Sequence, residues 1–74
     1  MSTLLRLRVK EVAESQGYNM SSLSRASDVS FKTVKRLFKN PYTDVNASTL
    51  ERIARTLGVP MGDLVESIPD DSSP

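Results

Sequence analysis

Residues 18–40 read Tyr18-Asn19-Met20-Ser21-Ser22-Leu23-Ser24-Arg25-Ala26-Ser27-Asp28-Val29-Ser30-Phe31-Lys32-Thr33-Val34-Lys35-Arg36-Leu37-Phe38-Lys39-Asn40. Asn19 and Ser30 are both residue types that accept a hydrogen bond from the exposed N–H groups of a helix start. Asn19 therefore predicts a helix over about Met20 to Ser27. Tyr18 before the cap and Leu23 four residues after it have the spacing of a hydrophobic staple. Asp28-Val29 breaks that helix, and Ser30 predicts another over about Phe31 to Lys39, with Val29 and Val34 repeating the staple. Asn40-Pro41 ends it, because the residue before proline is pushed out of the helical region. Two short capped helices separated by a three-residue turn are more informative together than either alone.

The second helix of this pair has two faces. At 100° per residue, Val34, Leu37 and Phe38 fall within an arc of about 100°. Lys32, Lys35, Arg36 and Lys39 fill an arc of similar width on the opposite side, and no acid lies between Ser30 and Asn40. One face is suited to a core while the other presents cations. A duplex carries about one phosphate charge per 1.7 Å of axis, and neutralising those charges releases counterions. The B-form major groove also admits one α-helix. A plain solvated surface would account for the lysines alone, but not for the absence of acids directly after a capped helix and a tight turn.

The flanks extend the helical pattern. Leu5, Val9, Val12, Ala13 and Gln16 lie on one side of a first helix that Gly17 stops at about Gln16. Leu5, Leu7 and Val9 also alternate with Arg6, Arg8 and Lys10, a strand-like period. The start of that helix therefore falls anywhere from Thr3 to Arg8, with the earlier residues as an extended arm. Asn46 predicts a fourth helix over about Ala47 to Leu57, with the stripe Leu50, Ile53, Ala54, Leu57. Ser48 with Glu51 offers an alternative capping box. Gly58 closes this helix, and Pro60 opens a fifth over about Pro60 to Glu66 that uses Leu64 and Val65. Ser67 to Pro74 is expected to be frayed, the last six residues forming a disordered tail.

Composition narrows the chemistry. The chain has 74 residues, 38% of them apolar and only four of them Phe or Tyr, enough for one small core. It has no Cys and no His, which removes thiol and imidazole catalysis, disulfides and zinc sites of the usual kind. The remaining acids are scattered, so no catalytic residue, metal or cofactor is expected. No run has the length of a membrane span, and Met1-Ser2-Thr3-Leu4-Leu5 lacks the character of a signal peptide, so a cytoplasmic chain is expected. The net charge of +1 conceals an asymmetry. Residues 1–57 carry every Lys and Arg and a surplus of five positive charges, whereas residues 58–74 carry Asp63, Glu66, Asp70 and Asp71 with no base. That split favours an anionic partner for the larger part.

The run Met20 to Leu37 resembles the helix-turn-helix of Cro/CI-type (XRE-like) phage and bacterial repressors. Arg8-Val9-Lys10-Glu11-Val12-Ala13-Glu14 resembles the first helix of that family. Ser48-Thr49-Leu50-Glu51-Arg52-Ile53-Ala54-Arg55-Thr56-Leu57-Gly58-Val59 resembles its fourth, and Asp63-Leu64-Val65 its fifth. The resemblance implies an all-α, compact five-helix, lambda-repressor-like DNA-binding domain over residues 1–68. It further implies a transcriptional regulator, specifically a repressor, that binds double-stranded DNA with its third helix in the major groove. The chain departs from the family pattern at three places. Met20 stands where Gln often grips phosphate, Asp28 where Gly is usual, and Ser24 where Ala is usual.

By the same resemblance the third helix reads base edges through Phe31, Lys32 and Arg36. Arg36 or Lys32 suits guanine O6 and N7, with Arg alone offering a bidentate fork. Phe31 either touches a thymine methyl or packs beside Phe38. Thr33, Lys35, Lys39 and Asn40 match phosphate-holding positions, and Ser21 at the start of the second helix adds another. Arg6, Arg8 and Lys10 form either a solvated face or an arm against the DNA backbone. Tyr42 and Thr43 reach a phosphate or, for Tyr42, pack on the core, while Arg52 and Arg55 solubilise the fourth helix.

Repressors of this kind act as dimers on paired half-sites, so a homodimer on DNA is expected. Leu64, Val65 and Ile68 are either a self-association patch or ordinary caps on the core. Pro69 to Pro74 alternatively begin a linker to a second domain. The competing reading of the whole chain is a protein-interaction module, an antitoxin-like partner that docks a basic protein through its acidic C-terminal part.

Overall fold

A computed structural model describes residues 3–69. In chain order they form strand β1 (Thr3–Leu7), helices α1 (Val9–Ser15), α2 (Met20–Ser27), α3 (Phe31–Lys39) and α4 (Ala47–Leu57), a 3₁₀ turn (Met61–Leu64) and strand β2 (Val65–Pro69). The bounds of α2, α3 and α4 coincide with those that caps and breakers predict. The domain is mostly helical, but it is neither all-α nor five-helix. What was expected as a fifth helix is a single 3₁₀ turn followed by a strand. Pro60 has no N–H to give, Gly62 weakens a helix, and β-branched Val65 and Ile68 fit an extended backbone better.

The N-terminal arm is the other half of the same correction. β1 pairs antiparallel with β2, with Leu5 opposite Ser67, Arg6 opposite Glu66 and Leu7 opposite Val65. Leu5 therefore belongs to a strand and not to the inner face of the first helix; it is 60% exposed. Ser67 to Pro69, expected to fray, are held in that sheet. The tail over residues 70–74 lies outside the described residues.

Twelve buried apolar side chains from every element except β2 form one core. Val9 and Ala13 come from α1, Leu23 from α2, Val34 and Leu37 from α3, and Leu50, Ile53, Ala54 and Leu57 from α4. Leu64 of the 3₁₀ turn is fully buried among them. It caps the core and has no surface to offer a second subunit, so the self-association patch loses that member. Val65 and Ile68 are half-buried. Of the two expected staples, Leu23 and Val34 are fully buried, with Tyr18 packed against the core and Val29 inside it.

Polar contacts fix the angles between helices. Asn19 and Ser22 make a reciprocal capping box at the start of α2, and the Ser30 hydroxyl accepts from the Thr33 N–H at 3.2 Å. Asn46 stands at the cap of α4 but makes no side-chain cap bond. The Gln16 side chain, expected on the apolar side of α1, instead donates to the Leu57 carbonyl at 2.8 Å, closing the end of α4 across 41 residues.

Arg6 joins three elements. Its guanidinium lies 2.6 Å from the Glu11 carboxylate on α1 and 3.2 Å from Glu66 on β2. Burial pushes the Glu11 carboxyl up, but the hydrogen bond from Arg6, a backbone bond, and the charges of Arg6 and Arg8 outweigh it and leave Glu11 below its ordinary value. The bond to Glu11 in turn raises Arg6.

Two predictions follow from these contacts. A carboxyl depressed in the folded state stabilises above its unfolded value and loses that contribution as pH falls through the folded one. Urea melts of wild type and Glu11→Gln should therefore differ at pH 7 and converge as the pH drops below about 4; a gap that stays constant with pH would contradict the pairing. Asp28 ends α2 at φ 57°, ψ 37°, in the left-handed region, where glycine has no penalty and a β-branched residue has a large one. Asp28→Gly should stabilise by up to about 1 kcal/mol, and Asp28→Val should cost about 1–2 kcal/mol.

Candidate nucleic-acid interface

The geometry of α3 follows from what its apolar face does. Val34 is 0% exposed and Leu37 2%, and Phe38 packs half-buried against the same core. With those three turned inward, Lys32, Lys35, Arg36 and Lys39 all lie exposed on the outer side. Among the described residues none of the four is in an ion pair; the bridges there use Arg6 and Arg55. A row of unneutralised cations on a rigid rod is an electrostatic surface for a polyanion.

The expected base readers all come from this helix. Phe31 is 45% exposed at its first turn, so the thymine-facing role is open to it and it is not enclosed with Phe38. Lys32 beside it is exposed. Arg36 is steered: its Nη2 donates to the Asp44 carbonyl at 3.3 Å. Together with Thr33, Asp44, Val45, Asn46 and Thr49 it lines a cleft of about 220 Å³ between α3 and the start of α4. One guanidinium N–H is held by the loop while the others remain to donate.

The expected phosphate contacts divide by how far they are committed. Lys35 and Lys39 are exposed and form no ion pair among the described residues. The Thr33 hydroxyl accepts from Ser30 Oγ at 2.9 Å, which leaves its own proton to donate. Asn40 accepts the Tyr42 N–H on its Oδ1 at 3.0 Å, turning only its amide N–H₂ outward. Ser21 is exposed at the start of α2, where the capping box uses the N–H groups of Asn19 and Ser22 but not those of Met20 and Ser21. Met20 is half-buried against the core.

The tight turn between α2 and α3 is built by bonds that sequence spacing does not reveal. The Ser24 hydroxyl donates to the Val29 carbonyl at 2.6 Å. From α4, Arg52 donates to the Asp28 carbonyl at 3.3 Å, and the Thr56 hydroxyl shares its proton between the Arg52 carbonyl of its own helix at 3.0 Å and the Ala26 carbonyl at 3.4 Å. Arg52 is thus a brace for the turn as well as a soluble surface residue. Its signal is absent from the sequence because 24 residues separate it from its acceptor.

The N-terminal bases do not act alike. Arg6 is held by Glu11 and Glu66, so it is a fastening within the fold and not an arm toward DNA. The same bond takes up Glu66, one of the acids in the negatively charged C-terminal part. Lys10 lines a depression of about 230 Å³ with Lys39 and Pro41, bringing a base of α1 beside the end of α3, a neighbour that sequence spacing missed. Tyr42 is 52% exposed and lies on a different surface with Leu5. Among the described residues no cluster of three potential metal ligands occurs, and no helix is long and apolar enough to cross a membrane.

Comparison with known proteins agrees with this arrangement. The family model for the Cro/C1-type HTH DNA-binding domain matches residues 8–70, taking in α1 to α4, the 3₁₀ turn and β2, with β1 preceding it. No curated protein matches the chain. The buried apolar stripe and exposed basic stripe of α3 and the braced turn before it all lie within the matched residues. The chain belongs to the Cro/C1-type helix-turn-helix DNA-binding family, and its partner is DNA.

Proposed function

We propose that this protein is a sequence-specific transcriptional repressor that lays α3 in the major groove of double-stranded DNA. The observation that carries the reading is the exposure of Lys32, Lys35, Arg36 and Lys39 on a helix whose other face is locked into the core. In this reading Phe31, Lys32 and Arg36 read base edges. Lys35, Lys39, Thr33, Asn40 and Ser21, with the free N–H groups at the start of α2, hold phosphates and set register. Arg36 suits guanine because its fork retains N–H donors after one is given to Asp44. Phe31 suits a thymine methyl.

Four to six phosphate contacts per domain give weak, salt-sensitive binding, so the functional unit is a homodimer on paired half-sites. Repression is the mode that the family likeness favours, and the protein works where its DNA is, in the cytoplasm. Its contribution is binding, with no catalytic step and no cofactor.

Selection of bound sequences from random duplex DNA tests this directly, with a reporter downstream of the winning site giving the sign of regulation. The selected site should show two-fold symmetry. Binding should weaken steeply with salt, with a log–log slope of about −0.9 per neutralised phosphate. Lys35→Ala should reduce that slope by about 1 per domain and weaken all sequences alike. Arg36→Ala should cost roughly 1–3 kcal/mol per half-site and relax preference at one base pair. The Lys32→Ala/Arg36→Ala double variant should abolish site preference. A duplex affinity that is absent at low salt would overturn the reading.

A further inference from the structure

The loop after α3 separates two hollows. On one side is the cleft of about 220 Å³ that holds Arg36 with Thr33, Asn46 and Thr49. On the other is a depression of about 440 Å³ walled by Leu5, Leu7, Leu50, Met61 and Val65. Asp44 and Val45 line both, so these two residues are the partition. Hydrogen bonds hold the loop on either side of it: the Thr43 N–H donates to the Asn40 carbonyl at 3.2 Å, and the Asn46 carbonyl accepts from the Leu50 N–H at 3.0 Å. Among the described residues, the only hydrogen bond made by Asp44 or Val45 is the one that the Asp44 carbonyl accepts from Arg36 at 3.3 Å.

Packing therefore holds the partition. Val45 is half-buried against the core, whereas Asp44 is exposed. The Asp44 carbonyl and the Val45 Cα belong to one planar peptide unit. Seating the Val45 side chain fixes one end of that plane, and with it the place where the carbonyl meets the guanidinium. Valine suits such an anchor because its branched side chain is stiff at χ1. The acceptor matters as well. Arg36 is held by a neutral carbonyl and forms no ion pair among the described residues, so it is steered without its charge being cancelled. An arginine has many rotamers to lose on binding, and one already held along part of its fork loses fewer.

We propose that Val45 is a positioning residue that determines base specificity: through the Asp44 carbonyl it aims the Arg36 guanidinium at a single base pair, without touching DNA itself. With Val45 shortened, the loop has the open depression behind it and retreats into that space, which frees Arg36 to sample neighbouring acceptors. Selectivity then falls, while attraction to phosphates, supplied by the exposed lysines, stays. This deepens the reading of Arg36 as a base reader and rests on it. Neither the helical wheel nor the helix caps mark Val45, because its effect passes through a backbone atom.

The test compares affinities of the full chain for the selected duplex and for duplexes carrying each other base at the pair that Arg36→Ala relaxes. In Val45→Ala, discrimination at that pair should fall about fivefold. Preferences at other pairs should stay within about twofold of wild type, with the salt slope unchanged. Loss of stability alone cannot produce this pattern, since a smaller folded fraction weakens every duplex by the same factor. Val45→Ile, which keeps the branched anchor, should retain wild-type discrimination. Asp44→Asn, which keeps the carbonyl and removes a negative charge, should also retain it while tightening all sequences alike. Without DNA, the Arg36 Nε–H of the labelled protein should lose order on the ps–ns timescale in Val45→Ala and not in Val45→Ile. Discrimination in Val45→Ala within about twofold of wild type, an equal fall in Asp44→Asn, or unchanged order at Arg36 would each overturn the proposal. If Arg36→Ala relaxes no base pair, the base-reading role fails and this inference with it. If Arg36→Ala relaxes one pair and Val45→Ala does not, only this inference fails.

Discussion

Two side chains, Val34 and Leu37, hold α3 to the body of the protein, and the basic surface exists only because they do. A helix of nine residues is too short to persist alone in water. Burial of a valine and a leucine stabilises by roughly 1.5–3 kcal/mol each, enough to fix the helix and the direction in which its cations point. The same two contacts keep the lysines apart from every carboxylate among the described residues. Attraction for a polyanion thus arises as the outer side of a packing solution.

Direction also depends on the turn, and the turn depends on α4. Ser24 closes the loop from inside α2, while Arg52 and Thr56 reach across to the carbonyls that the end of α2 leaves unpaired. These are individually modest bonds, each contributing about 1 kcal/mol. Their value is geometric, since they set the direction of α3, on which the proposed base contacts depend. Asp28 accepts the left-handed conformation at the point where the chain reverses. The hydroxyl of Ser24, a departure from the usual small apolar residue, has a partner and so carries no burial penalty.

Local signals made much of this legible. Asn19, Ser30, Asn40-Pro41 and Gly58 mark helix ends through chemistry that acts within four residues, and the structure places the helix ends where those residues predict. Asn46 marked a boundary correctly without making the bond that would explain it. The sheet was half visible: Leu5, Leu7 and Val9 alternate, yet the partner strand lies 60 residues away and has no period of its own. The expected fifth helix failed for the same reason, because Val65 and Glu66 are drawn into extended pairing by Leu7 and Arg6. Local pattern places Arg6 and Arg52 on the surface and Gln16 on a helix face, whereas in the fold each is a long-range fastener. The outward cations of α3 can be placed from the helical wheel, whereas the cleft that steers Arg36 requires the loop after α3.

Electrostatics and packing therefore support one proposal above the others, that α3 is the surface that meets DNA. Backbone amide shifts of the labelled protein, recorded as a selected duplex is added, test it most directly. The account predicts that the largest changes fall on Phe31 to Lys39 and on Ser21, with the C-terminal half of α4 and the 3₁₀ turn nearly silent. Changes centred on residues 58–69 with α3 unmoved would contradict it.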